Sequence, residues 1–201
     1  MNKTAIFSAA GVGAAGAGGY GTYSLLKEKN PPSVSFQQRI DTKKRVILET
    51  STNAHDAVWT EIAKEYKNNG NIEGIPKDDN AKEKLKQHCQ RSNDSTSNKE
   101  QEFEQYKTYC TRENLITKLS TTSKPWNTSK EESKWEAAKS TYSSSGDGDL
   151  LIPKTGGSIS KTEVTKKHIM DHCEEISTKP FVKNEDADYK RGEKWCLVTN
   201  G

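Results

Sequence analysis

Two short stretches of the chain, LKQHC at residues 85–89 and IMDHC at residues 169–173, have the same pattern. Each ends in His-Cys and has a branched apolar residue four positions before the cysteine. The whole chain has only 4 cysteines and 4 histidines, so two His-Cys pairs need an explanation. They could be metal ligands, parts of a catalytic site, or corresponding points of an internal duplication.

Further landmarks fall into the same order when the two His-Cys pairs are aligned. Trp59 and Tyr66 are seven positions apart, and so are Trp135 and Tyr142. An Ile-Pro pair then precedes each His-Cys, and Tyr-Lys followed by an aromatic-Cys pair comes after it. The spacing between the copies grows along the chain, which places insertions in the Gly/Ser-rich residues 143–160, where a loop tolerates them. We interpret the pattern as one unit present twice.

Each copy is predicted to consist of short helices. A first helix is indicated by apolar residues that recur with the helical period. A second helix with the His-Cys pair should follow the Ile-Pro turn, because proline ends a helix. A third should lead to the last cysteine, although Gly192 makes this segment of the second copy look less helical. The apolar stripes, and hence the expected repeat core, are formed by Trp59, Ile62, Ala63 and Tyr66 in the first copy and by Trp135, Ala138 and Tyr142 in the second.

Composition limits the size of the core and the kind of partner. Only 30% of the 201 residues are apolar, against roughly 45–50% in ordinary soluble domains. Two small units with thin cores would benefit from covalent cross-links. The charge is balanced, with 31 basic and 28 acidic residues, whereas a nucleic-acid-binding face should be dominated by basic residues. We therefore expect no nucleic-acid partner, and the basic run Lys43–Arg45 is interpreted as a solvated patch.

The amino-terminal segment from Thr4 to Leu26 carries no charge and is flanked by Lys3 and Lys27. As a helix it would be about 34 Å long, enough for a hydrocarbon core of about 30 Å. This predicts a single membrane-spanning anchor. A cleaved secretory signal with a small-residue site near residues 15–17 is the main alternative, and a buried soluble helix is the other, although its glycines would make it a poor helix. Both the anchor and the signal place the remaining residues outside the cytoplasm.

The predicted fold class is mainly α, with an N-terminal transmembrane or signal helix followed by two tandem small α-rich, disulfide-linked repeats. Residues 1–28 are assigned to the anchor or signal segment and 29–45 to a spacer. Residues 46–119 then form the first repeat and 120–201 the second.

The cysteines are predicted to form disulfide bonds, because an even number in an exported chain indicates such a framework. Four cysteines allow three connectivities, and the duplication selects Cys89 with Cys110 and Cys173 with Cys196. Each bond would close a loop worth roughly 3 kcal/mol. Zinc is the alternative, but adjacent helical residues point about 100° apart and an oxidising compartment disfavours thiolates.

No catalytic, cofactor-binding or metal-binding residues are predicted. A bridged cysteine cannot act as a nucleophile, and the zinc-protease, serine-hydrolase and phosphate-loop motifs are missing from the sequence. The run Gly11–Gly16 matches the dinucleotide fingerprint, but so close to the start no strand can precede it, as the mechanism requires. We interpret this match as a consequence of the Gly/Ala-rich composition.

The chain resembles a set of uncharacterised paralogous proteins of similar length in haemotropic mycoplasmas. The resemblance rests on the Gly/Ala-rich start, the W-x6-Y helix, the Ile-Pro turns and the HC and WC cysteines. It implies a membrane-anchored, surface-exposed protein from an expanded set, with attachment to host cells or antigenic variation as its role. It transfers no catalytic residues, because none are established for that family.

These observations lead to one main functional hypothesis and two alternatives. The first is a single-pass protein, anchored in the cell membrane through residues 4–26, that presents both repeats outward and acts by surface interaction, with a host-cell surface molecule as partner and without catalysis. The second is a secreted module, released by signal cleavage, that is structural or binds a small ligand between its two lobes. The third is a degenerate exported enzyme, which would require titratable residues converging in one cleft.

Overall fold

About half of the residues described by the computed structural model, 33–121, 123–145 and 148–198, are helical, in eight α-helices. The first half contains α1 (Phe36–Arg39), β1 (Arg45–Ile47), α2 (Asp56–Asn69), α3 (Ala81–Ser92), α4 (Glu100–Tyr109) and β2 (Thr111–Glu113). The second half contains α5 (Leu115–Leu119), α6 (Glu136–Ser145), the two-residue strands β3 (Pro153–Lys154) and β4 (Gly157–Ser158), α7 (Lys166–Ser177) and α8 (Ala187–Trp195). Two short 3₁₀ turns, Glu132–Trp135 and Gly148–Leu150, flank α6.

The part of the chain from Val34 onward is one compact unit with two hydrophobic cores. The first core is built around Trp59 and Tyr66 of α2, and the second around Trp135 and Tyr142. Each of these four aromatic residues is at most 2% exposed. The chain has few apolar residues, but its large aromatic side chains lie in two small cores. There they bury a large apolar area each and so contribute most of the stabilisation of the core.

Each half is closed by an antiparallel contact between the segment before its long helix and the segment after its last cysteine. In the first half this contact is the β1–β2 pair, and in the second it is a single bridge between Trp126 and Leu197. In both halves the residue after the paired strand residue also bonds to the last cysteine. The Leu48 amide donates to the Cys110 carbonyl (3.0 Å), and the Asn127 amide donates to the Cys196 carbonyl (2.7 Å). The ends of each half therefore meet at its disulfide bond.

The short helices α1 and α5 occupy matching places at the start of the two halves. The amide of Phe36, the first residue of α1, donates to the carbonyl of Ser95 (2.9 Å), and that of Leu115, the first residue of α5, donates to the carbonyl of Lys179 (3.0 Å). Both acceptors lie six positions after the cysteine of a His-Cys pair. Both helices begin after a buried polar residue, Ser35 in one and Asn114 in the other.

Two short segments pack across the boundaries expected from the sequence. Residues 34–45 lie in the segment assigned to a spacer, yet Phe36 and Ile40 are 2% and 7% exposed and belong to the first core. Leu115 and Leu119 were placed in the first repeat, but they pack into the second core. A helix of four or five residues is too short for its period to be visible in a sequence, so neither helix was recognised.

The segment around Gly192 is helical, contrary to the expectation from its sequence. A β-carbon at Gly192 would lie 2.8 Å from Leu119 and 3.2 Å from the Trp126 ring. The missing side chain therefore lets α8 pack directly on these two residues. This contact outweighs the intrinsic cost of glycine in a helix, about 1 kcal/mol.

The basic run is only partly a solvated patch. Lys43 and Lys44 are exposed, whereas Arg45 lies in β1 and its Nε donates to the Thr111 hydroxyl (2.7 Å). Burial lowers the pKa of this arginine, although nearby Glu113 acts in the opposite direction. Arg45 is therefore a structural residue that ties β1 to the end of α4.

None of the helices among the described residues has the length and apolar character needed to cross a membrane. The anchor or signal segment predicted over residues 4–26 lies outside the described residues.

Candidate functional site

Both disulfide bonds are present, and they join the pairs predicted from the sequence. Cys89 is bonded to Cys110 and Cys173 to Cys196, with Cα–Cα distances of 5.3 and 5.5 Å. Each sulfur pair is buried in the core of its own half. The bonds engage all four cysteines, so no thiolate is available for a metal ion. Among the described residues, no group of three or more His, Cys, Asp or Glu side chains is arranged to hold one.

The tryptophans that begin the two apolar stripes make the same hydrogen bond. The indole of Trp59 donates to the Glu49 carbonyl (2.8 Å), and that of Trp135 donates to the Ser129 carbonyl (2.9 Å). In both halves the acceptor belongs to the segment that leads into the first long helix. A buried indole N–H needs such a partner, and here the bond also fixes the path of that segment.

The tyrosines of the stripes hold the long loop of each half. The Tyr66 hydroxyl accepts from the Ile72 amide (3.1 Å) and donates toward the Ile72 and Ile75 carbonyls (3.1 and 3.2 Å). The Tyr142 hydroxyl accepts from the Ile152 amide (2.8 Å) and donates to the Ile159 carbonyl (2.7 Å). Each tyrosine therefore satisfies backbone groups that the Ile-Pro loop would otherwise bury without partners.

The two histidines of the His-Cys pairs differ in their surroundings. His88 is half-buried and its Nε2 lies 3.5 Å from the Ser92 hydroxyl. His172 is 5% exposed, and its Nε2 has no hydrogen-bond partner among the described residues. The residue one turn after His172 is Ile176, where the first half has the serine. Burial lowers the pKa of His172, so the neutral ring is favoured in the folded protein.

Charged residues gather beside this histidine, where the second half meets the first. The Lys179 ammonium contacts Asp188 (2.9 Å) and Glu175 (3.2 Å), and Asp188 also pairs with Arg191 (3.0 Å). Burial acts to raise the pKa of Asp188, but its bond to Lys179 and the charge of that lysine hold the pKa below its ordinary value. The carboxylate is therefore ionised and paired, which suits a structural ion network better than a general acid or base near neutral pH.

The halves are joined next to Asn114. The Phe181 amide of the second half donates to the Glu113 carbonyl of the first (2.8 Å), and Asn114 itself forms a bridge with Pro180. The Asn114 side chain accepts from the Thr117 amide (3.0 Å) and donates to the Lys43 carbonyl (2.8 Å). One buried residue thus caps α5, extends the first half's strand pairing and orients the second half.

A cleft of about 300 Å³ lies between the halves, next to this joint. Its first wall is the start of α2 and the turn before it, and its second wall is the segment between α7 and α8. The apolar lining is provided by Ala54, Ala57, Val58, Leu115, Pro180 and Val182, and the polar lining by His55, Lys179, Asp186 and Asp188.

His55 is the titratable residue that the first half adds to the cleft. Its Nδ1 accepts from the Glu49 amide (2.8 Å), so a neutral ring carries its proton on Nε2. Burial lowers the pKa of His55, which keeps the ring neutral near neutral pH. Asp186 is occupied as the cap of α8, accepting from two amides of that helix. The cleft therefore combines an apolar wall with polar groups that are already bonded, an arrangement suited to binding.

The sequence allowed a ligand site between the two lobes but did not identify the residues of this cleft. Its polar residues come from segments far apart in the chain, and no motif links His55 with Lys179 or Asp188. Their meeting depends on how the two halves dock, which local periodicity does not encode.

Comparisons with protein-family models, with curated proteins and with solved structures found no match for this chain.

Proposed function

We propose that the chain is a single-pass membrane-anchored protein whose disulfide-bonded part lies outside the cytoplasm and acts by binding a partner, without catalysis. The observation that carries the proposal is the pair of buried disulfide bonds. Structural disulfides persist in oxidising compartments and are rare in the cytosol. The uncharged run from Thr4 to Leu26 supplies the anchor in this proposal.

The two halves are proposed to be tandem copies of one unit, with the boundary at Asn114. Four features support this arrangement: the paired cysteines, the indole bonds, the tyrosine-held loops and the closing strand contacts. Each copy then runs from a short helix through a closing segment, three longer helices and a second closing segment. The boundary differs from that expected from sequence because α5 starts the second copy.

A binding role agrees with the charged residues near the joint, which already have partners. The ion network of the second half is internally paired, and His55 is engaged by backbone. The proposed partner is a host-cell surface molecule, as the resemblance to the mycoplasma proteins implies.

Location and thiol state test this proposal together. The native protein should remain with membranes after carbonate extraction, be cut by protease added to intact cells, and yield linked peptides for both cysteine pairs under non-reducing digestion. A cytosolic protein with four reduced thiols would overturn it.

A second candidate is a secreted small-ligand-binding protein, and the cleft between the halves is the observation that favours it. Its volume, about 300 Å³, is at the lower end of ordinary ligand sites. Recovery of the mature chain from the medium, beginning near residue 17 or 18, would favour this candidate over the anchored one.

A further inference from the structure

A separate cavity of about 190 Å³ opens on the second half, away from the cleft described above. Its apolar walls are formed by Ile116 of α5, Trp126 of the closing bridge, Trp135 of the 3₁₀ turn before α6, and Met170 of α7. Trp126 and Trp135 are 6% and 2% exposed, so the indoles form a fixed floor. Ile116 and Met170 are only partly buried and lie nearer the surface.

The first half shows that the fold does not require these apolar residues. Lys86 lies three positions before Cys89 in α3, as Met170 does before Cys173 in α7. Gln37 is the second residue of α1, as Ile116 is the second of α5. Polar side chains are therefore accepted at both matching positions, and the second half carries apolar ones at a cavity mouth.

The closing bridge shows the same change. Trp126 pairs with Leu197 where Ile47 pairs with Thr111 in the first half. A tryptophan in place of isoleucine adds aromatic surface to the cavity floor. At these three positions the second half has a larger or more apolar residue, whereas Asn127, which matches Leu48, adds a polar group to the lining. Apolar walls with a few polar groups are the composition of a binding pocket.

The size and the rim of the cavity indicate its occupant. At about 190 Å³ it is smaller than the ~300–1,000 Å³ typical of sites for drug-sized ligands. It can take one large side chain. On the rim, Lys130 and Glu174 form an ion pair (2.6 Å) with side chains 69% and 64% exposed, and so exposed a pair contributes at most about 1 kcal/mol. Both charges are free to exchange partners when another surface approaches.

We propose that this cavity anchors one aromatic or branched aliphatic side chain of a partner polypeptide, with Lys130 and Glu174 pairing with charges beside that side chain. This inference rests on the proposed binding function and names the surface through which it acts. An apolar anchor in a pocket, surrounded by a polar rim, is the usual arrangement at the energetic centre of protein interfaces.

The first test uses single side chains as probes on the full chain. N-acetyl-tryptophanamide and N-acetyl-leucinamide should shift the indole NMR signals of Trp126 and Trp135 and leave that of Trp59 unchanged. N-acetyl-serinamide, which has no apolar side chain, should shift none. Equal shifts for all three probes, or shifts confined to Trp59, would overturn the assignment.

The second test uses peptides selected from a random display library against the full chain. The selected peptides should share an aromatic or branched aliphatic residue and should compete with N-acetyl-tryptophanamide. Selection of peptides without such a residue, or of peptides that bind elsewhere, contradicts the proposal. Binding of free small molecules larger than one side chain, with no peptide binding, contradicts it as well.

The matching positions of the two halves supply the variants. Met170→Lys and Ile116→Gln install the residues of the first half, so the fold should accept them, and each should weaken peptide binding at least tenfold. Lys86→Met makes the reverse change in the first half and should leave binding unchanged. Thermal unfolding and disulfide mapping verify that each variant is folded. Undiminished binding by folded Met170→Lys refutes the proposal, whereas a protein found in the cytosol would refute the proposed location without affecting this result.

Discussion

Replacing Tyr142 with phenylalanine tests whether a single hydroxyl holds the loop of the second half. The change keeps the ring, which packs 4.9 Å from the Trp195 ring between centroids. It removes one bond from the Ile152 amide and one to the Ile159 carbonyl. Both isoleucines are buried, at 3% and 7% exposure, so both backbone groups lose their partner in an interior position.

The expected cost follows from the two groups left behind. A buried donor or acceptor without a partner costs about 1–3 kcal/mol, so the two groups left unpaired by Tyr142→Phe should lower the free energy of unfolding by roughly 2–6 kcal/mol. For a protein of this size that corresponds to a fall of roughly 4–24 °C in the unfolding midpoint. Urea titration followed by far-ultraviolet circular dichroism, with calorimetry for the midpoint, measures both quantities.

Tyr66→Phe is the matched control in the first half. Its hydroxyl makes longer contacts, 3.1–3.2 Å, so the same substitution should cost less there. Hydrogen exchange adds a local readout, because the Ile152 amide should lose protection in the Tyr142 variant only. A Tyr142→Phe protein within 0.5 kcal/mol of the parent, with the Ile152 amide still protected, would refute the role given to this hydroxyl.

Three other predictions address the disulfide, the buried histidine and the joint between the halves. Replacing Cys173 and Cys196 with serine should cost about 3 kcal/mol of unfolding free energy in urea titrations, with the other bond still detected by mass mapping; no loss would contradict the loop-closure argument. Because burial lowers the pKa of His172 from 6.5, the unfolded chain binds the proton first. Stability should therefore fall as the pH drops below 6.5 and reach its full loss below the folded-state pKa. Because burial also lowers the pKa of His55, His172→Gln should reduce that slope, but not abolish it, above the range of about pH 5 where carboxylates titrate; an unchanged slope would contradict it. Asn114→Ala should cost about 1–2 kcal/mol through loss of the α5 cap, measured by thermal unfolding, and a neutral result would show that the cap is dispensable.

The features that could be predicted from sequence are those with a long, regular pattern of apolar residues. The stripe from Trp59 to Tyr66 is buried along α2 as its spacing predicts. The predicted third helix of the first copy is present as α4, with Phe103 and Tyr106 buried. A stripe over two or more turns repeats the signal several times, so one exception does not hide it. Cysteine pairing was equally accessible, because the order of the landmarks left one natural connectivity.

The residue at which a helix begins was harder to predict from sequence than the presence of the helix. Ser160 and Glu163 have the spacing of a capping box and contact each other, yet α7 begins only at Lys166. Its cap is Thr165, which accepts from the His168 amide while the His168 ring accepts from the Thr165 amide. The cap that starts α7 thus lies five positions, more than one helical turn, after the one with the clearer sequence pattern.

The closing contacts and the cleft depend on structure that no local window contains. The closing segments are three residues or fewer, too short for the alternation that identifies a strand. The cleft requires the turn at His55 to face the segment near Lys179, which only the docking at Asn114 produces. Sequence patterns specify the apolar face of each helix. The closing contacts and the cleft depend instead on which of these faces pack against each other.

The two halves also differ in a way that only packing explains. Gly192 and Tyr106 are matching residues, since the carbonyl of each accepts from the amide of the last cysteine of its half. Trp126 and Ile47 match through the closing contacts. The first half thus has tyrosine at the helix position and isoleucine at the strand position. The second half has glycine at the helix position and tryptophan at the strand position. Because Gly192 lies directly against the Trp126 ring, the two changes compensate in volume, which is the kind of exchange a core tolerates. With Trp126 in place a larger residue at position 192 would clash, and with Gly192 in place a smaller residue at position 126 would leave a void. This supports the proposal that the halves are diverged copies, each of which maintains its own core.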